Sequence, residues 1–184
     1  MDEYRRISQQ FEQIGVIPVV RMSHQEQAIP LTDTLRKGRL PVAEVTLRTS
    51  CALDGIAAIH EAYPEFLVGA GTVLCLSQAR EAFRAGAKFI VSPGLIPDVV
   101  QWCLAEKIPV FPGVCTPTEI CQAIALGLHE LKFFPAADYG GLQTIKSLLQ
   151  VFDNIRFMPT GGVNKNNLVN NYTRAMKSHA ENQR

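Results

Sequence analysis

The chain has 184 residues, 47% of them apolar and 19% charged, with a formal net charge of +1. That is one domain's length with room for a sizeable core, and so balanced a charge offers no field for nucleic acid or an anionic membrane. No apolar run reaches the roughly 18 residues of a membrane span, and the acidic start MDEYRRISQQF does not read as a secretory signal.

Short apolar runs alternate with longer amphipathic ones along the chain. An opening helix is predicted over 2–13 and a first strand over 16–21, ending in Arg21. Further strands are expected at 42–47, 66–70, 88–92, 108–112, 130–134 and 155–160. Between them, 3.6-type spacing predicts helices over 24–37, 51–62, 76–85, 96–106, 117–126 and 141–151. Ser50 is a cap candidate, Ser77 begins the next-but-one of these helices but one residue in, and Thr116 stands before a proline suited to the first helical position. Gly86 and Gly127 fall where helices must stop. The repeat is the βα unit, which implies a parallel sheet. The strands are near-continuous apolar runs, as strands covered by helices should be. No GxGxxG follows the first strand, which counts against a dinucleotide-binding sheet. The expected fold is α/β, a TIM-type (β/α)8 barrel.

In such a barrel the chemistry sits at the C-terminal strand ends. There the sequence places Glu44 and Arg48, Thr72, Pro93, Lys132 and Phe134, and Thr160-Gly161-Gly162. Lys132 lies inside the apolar run ELKFF. It is either an edge-strand lysine with its head in solvent or an amine buried for a purpose. Burial disfavours an ammonium ion and moves an amine toward the range that suits attack on a carbonyl. Glu44, inside VAEVTL, is either a rim carboxylate paired with Arg48 or a general acid/base. Arg48 suits a carboxylate or phosphate, because a guanidinium binds oxyanions bidentately. Gly161 and Gly162 free backbone N–H groups for an anion, in the loop where such barrels often hold phosphate. The five cysteines, Cys51, Cys75, Cys103, Cys115 and Cys121, form no CxxC pair, and the histidines are dispersed. They read as reduced thiols of a cytoplasmic protein, with no metal and no cofactor expected.

The stretches PVAEVTLRT, VGAGTVL, KFIVSPG, PVFPGVCTPTE, ELKFFPA and MPTGGV, in this order, resemble the 2-keto-3-deoxy-6-phosphogluconate (KDPG) and 4-hydroxy-2-oxoglutarate (KHG) aldolases. The resemblance implies a class I aldolase, commonly a homotrimer, that cleaves a phosphorylated 2-keto-3-deoxy sugar acid to pyruvate and glyceraldehyde 3-phosphate. It implies that Lys132 forms the Schiff base and that Glu44 transfers the protons. Arg48 and Thr72 would bind the pyruvyl carboxylate, Pro93 and Phe134 line the pocket, Thr160 contact the aldehyde portion, and Gly161 and Gly162 donate to the phosphate. A phosphogalactonate aldolase using the same imine chemistry is the neighbouring alternative.

After Asn167 the family pattern is expected to stop. Residues 168–184 are polar and hold no run fit for an eighth strand. The sequence therefore predicts an incomplete barrel over 1–167 and an atypical or truncated tail over 168–184. A catalytically impaired remnant that associates with intact copies is the corresponding second reading.

Overall fold

A computed structural model describes residues 2–164 of the chain, so the expectation for the 168–184 tail, and for the absence of an eighth strand there, lies outside the described residues. The fold is α/β of the TIM type. Seven parallel strands, taken in chain order, alternate with helices among the described residues. The chain falls into two compact units, one holding the residues up to 92 with 96–110, the other 93–95 with the residues from 111.

The first unit opens with α1 (Asp2–Ile14), followed by β1 (Val19–Val20), α2 (Ala28–Lys37), β2 (Val42–Thr46), α3 (Ala52–Ala62), β3 (Leu67–Gly71), α4 (Leu76–Arg84), β4 (Ile90–Ser92) and α5 (Pro97–Ala105). β1, β2, β3 and β4 pair in that order, all parallel. Every residue of β2 and β3 is buried, Glu44 and Thr46 of β2 included, as in parallel strands covered on both faces. α1 buries Ile7 and Phe11, and the Phe11 ring meets Phe89 edge-on at 4.9 Å between centroids. Each such buried aromatic contributes about 2–3 kcal/mol by removal from water.

β1 is shorter than the expected 16–21. Pro18 has no N–H to give a ladder, and only its carbonyl is used, accepting from the Glu44 amide at 2.8 Å. α2 is preceded by a 3-10 turn, Gln25–Gln27, in which the Gln27 side chain accepts from the Ser23 amide at 2.9 Å. Two helix-start expectations are corrected. The N-cap of α3 is Cys51 rather than Ser50; it already has helical φ and ψ, and its thiol reaches toward the Met22 carbonyl at 3.6 Å. The N-cap of α4 is Cys75, which leaves Ser77 inside the first turn.

The second unit contains the rest of β5 (Val110–Val114), then α6 (Pro117–Ala125), β6 (Glu130–Phe133), α7 (Gly141–Leu149) and β7 (Arg156–Pro159). β6 lies between β5 and β7, parallel to both. Phe133 and Phe157 are fully buried and meet edge-on at 5.8 Å. Thr116 caps α6 as expected, accepting from the Glu119 amide at 3.4 Å, with Pro117 at the first helical position. Gly127 closes that helix with φ +84, and in the first unit Gly86 follows α4 with φ +96, values natural to glycine.

Among the described residues no helix is long and apolar enough to cross a membrane, and no group of three or more His, Cys, Asp or Glu could hold a metal ion.

Candidate active site

In the first unit the candidate groups are Glu44, Arg48 and Thr72. Glu44 is the middle residue of β2 and only 1% exposed. It is therefore not a carboxylate exposed at the rim. Its backbone is held on both sides, by the Pro18 carbonyl and by register with Gly69 on β3. Gly71, two residues beyond Gly69, presents a bare Cα to the Glu44 carboxyl group. A Cβ built at Gly71 would overlap Glu44 Oε1 and stand 2.6 Å from its Cγ and 2.7 Å from its Cδ.

At the C-terminal end of the same pair, Thr46 is in register with Gly71, and the Leu47 amide donates to the Gly71 carbonyl at 2.8 Å. The Thr46 hydroxyl donates to the Val20 carbonyl at 3.0 Å, tying β1 to β2. Arg48 and Thr72 follow directly, at one end of adjacent strands. Arg48 is exposed and Thr72 half-buried. Thr72 has φ +57, in the left-handed region that a β-branched residue rarely enters.

In the second unit the candidates are Pro93, Lys132, Phe134, Thr160, Gly161 and Gly162. Lys132 is 5% exposed on the middle strand of three, in register with Gly113 and Met158. The edge-strand reading is thereby set aside. As the period-two pattern required, its Nζ lies over the Phe134 ring, 5.2 Å from the centroid. Pro93 sits beside Gly113, where an added Cβ would run into its carbonyl. Phe134 precedes a cis proline, Pro135.

The loop after β7 is fastened to the segment after β6. The Thr160 amide donates to the Phe133 carbonyl at 2.9 Å. The Ala136 amide donates to the Thr160 carbonyl at 2.8 Å, and the Ala137 amide to the Gly161 carbonyl at 3.1 Å. Gly161 and Gly162 have φ +96 and +74, and a Cβ on Gly162 would strike the Ala137 methyl. Conformation thus favours glycine at both positions, and space requires it at Gly162.

Glu119 was given no role by the sequence reading. Its Oε2 accepts from the Cys115 amide at 2.9 Å, the Thr116 amide at 2.9 Å and the Thr116 hydroxyl at 2.8 Å. Burial opposes ionisation, but these hydrogen bonds outweigh it and hold the carboxyl below its ordinary range. Burial, reinforced by this neighbouring carboxylate, pushes the Cys115 thiol up. The signal was legible as T-x-x-E, the capping box.

Parallel βα repeats with a buried lysine, a buried carboxylate and glycine-rich turns at strand ends define a TIM-type α/β enzyme. The KDPG and KHG aldolase family profile matches residues 7–180, and the chain belongs to that family. The match runs past residue 167, where the family pattern was expected to stop. The chain is 44% identical over 162 residues to a 2-dehydro-3-deoxy-phosphogluconate aldolase of Treponema pallidum, covering 88% of this chain and 77% of the relative. It is 42% identical over 152 residues to the KHG/KDPG aldolase of Escherichia coli K12, covering 83% and 71%. Among solved structures, the KDPG aldolase of Zymomonas mobilis with 3-phosphoglycerate superposes with a TM-score of 0.83 at 40% identity, covering 89% of this chain and 78% of that one. The Legionella pneumophila KDPG aldolase, with pyruvate captured as a covalent carbinolamine, gives 0.82 at 36%, covering 85% and 78%. A native KDPGal structure gives 0.76 at 31%, covering 82% and 74%. A porous cage designed by fusing symmetric oligomeric domains gives 0.76 at 31%, covering 82% and 56%.

Proposed function

We propose that this protein is a class I aldolase that cleaves 2-keto-3-deoxy-6-phosphogluconate to pyruvate and glyceraldehyde 3-phosphate, and 4-hydroxy-2-oxoglutarate to pyruvate and glyoxylate. The observation that carries the reading is the burial of Lys132 on a strand paired on both sides. The carbinolamine in the Legionella relative supports it.

The Lys132 amine adds to the C2 carbonyl, giving a carbinolamine that loses water to an iminium ion. That cation is an electron sink. Glu44 takes the proton of the C4 hydroxyl, the C3–C4 bond breaks, and its electron pair moves to the iminium nitrogen as an enamine. The aldehyde leaves, C3 is reprotonated, and water frees pyruvate and regenerates the amine. A single carboxylate serves as base and then acid. Arg48 and Thr72 hold the keto-acid carboxylate, Arg48 through its paired N–H donors. Pro93 and Phe134 supply apolar walls, and Thr160 meets the aldehyde portion. Gly161 and Gly162 offer the phosphate backbone N–H groups from a turn of two successive positive-φ residues. We place the reaction in the cytoplasm and in a homotrimer, the latter supported by the similarity to a cage built from symmetric oligomeric domains.

A pyruvate-release assay with the two C4-epimeric phosphorylated substrates tests the reading. Preferential turnover of the gluconate epimer is expected. Turnover of the galactonate epimer alone assigns the phosphogalactonate activity instead, and no release from either substrate by folded protein overturns the aldolase reading.

A further inference from the structure

We propose that Gly71 is a positioning residue for the Glu44 carboxyl group: its missing side chain is the space the carboxyl occupies. The inference rests on the acid/base role proposed above for Glu44. The two residues belong to adjacent strands, β2 and β3, and to the same unit. A Cβ at position 71 would overlap Glu44 Oε1 and crowd Cγ and Cδ at 2.6 and 2.7 Å. Real carbon contacts of this kind lie near 3.5–4.0 Å, so one group must move.

Glu44 is the group that gives way. Its backbone is paired on both sides, and the Gly71 carbonyl is engaged by the Leu47 amide at 2.8 Å. The clash falls on the carboxyl end of a flexible side chain rather than on backbone. No φ requirement competes with this explanation, because Gly71 lies within a regular strand and is absent from the positive-φ glycines. The glycine is there for space. A methyl group at 71 displaces the carboxyl by an ångström or more, and misplacements of that size cost on the order of a hundredfold in rate. Imine formation, assigned to Lys132, is a separate step and keeps its amine.

The test is Gly71→Ala, read by two measurements on the full chain. One is borohydride trapping of pyruvate; the other is exchange of the pyruvate methyl protons in D2O, which needs a proton-transferring group as well as the imine. Trapping is expected within about twofold of the unaltered protein, and exchange to fall on the order of tenfold to a hundredfold. Glu44→Asp retracts the carboxyl by one methylene and supplies the compensating change. Alone it is expected to slow exchange; combined with Gly71→Ala it recovers exchange above Gly71→Ala alone, a coupling that independent sites would not show. Unchanged exchange in Gly71→Ala, or an equal fall in trapping and exchange, overturns the proposal. So does a double variant without recovery. If Gly71→Ala does not fold but the double variant does, the steric pairing is upheld; if neither folds, it is refuted. Absence of trapping and exchange in the unaltered protein would instead defeat the aldolase reading itself.

Discussion

Lys132 Nζ stands 5.2 Å from the centre of the Phe134 ring, two residues further along the same face. The ring covers one side of the amine and restricts where it can point. Phe134→Leu keeps an apolar wall but removes the ring face. With the amine less restrained in direction, the pyruvate adduct should form more slowly, on the order of tenfold. Thermal unfolding should change little, because Phe134 is only half-buried.

In the carboxylate-binding role proposed for it, Thr72 sets stability against substrate binding. Its φ of +57 costs a β-branched residue about 1–2 kcal/mol. Thr72→Gly relieves that strain and returns part of the gain as unfolded-chain entropy. The variant is expected to unfold at the same or a slightly higher temperature, while its KM for the keto acid rises about tenfold through loss of a hydroxyl contact. Calorimetry and steady-state kinetics on one preparation separate the two effects.

The Glu119 capping box should impart a pH dependence to stability. The folded-state pKa is depressed below the model-compound value of 4.5. The stabilisation is therefore complete above about pH 4.5 and is lost as pH falls through the lower folded-state value. Glu119→Gln should lower the urea midpoint at pH 7, and the gap from the unaltered protein should narrow at pH 3.5. Thr116→Ala, which removes the reciprocal half of the cap, is expected to cost about 1 kcal/mol.

Thiol chemistry should follow burial and local hydrogen bonds. The Ser77 hydroxyl, 3.0 Å from Cys75 Sγ, holds that exposed thiol below its ordinary range. Burial pushes the Cys103 thiol up to about 12. With iodoacetamide near pH 8, Cys75 should label first and Cys103 only on unfolding. Ser77→Ala should slow Cys75. Peptide mass mapping over a time course reads the order.

Much of the element order was legible in the sequence, because burial imposes period two on strands and 3.6 on helices. Helix boundaries at 52–62, 97–105 and 117–125 fall within a residue or so of the expectation. The first strand was overread because apolar residues continue through Pro18, which cannot donate to a ladder. Ser50 was a plausible cap by composition, but Cys51 took the position, a matter of backbone dihedrals rather than residue preference. The candidate residues could be picked from the strand ends because polar groups inside apolar runs are conspicuous. What sequence could not disclose was negative space. Nothing in VGAGTV says that Gly71 clears room for Glu44, or that the next residue, Thr72, sits at positive φ. Glu119 was readable as the end of a capping box, yet its grip on the Cys115 amide depends on the turn between β5 and α6.

The central claim concerns the Lys132 nitrogen, and peptide mass mapping after borohydride reduction in pyruvate tests it most directly. The account predicts one adduct per chain, with the mass of pyruvate less one oxygen atom, on the peptide carrying Lys132, and none in Lys132→Met. An adduct on another lysine, or none from protein whose fold is intact, would contradict it.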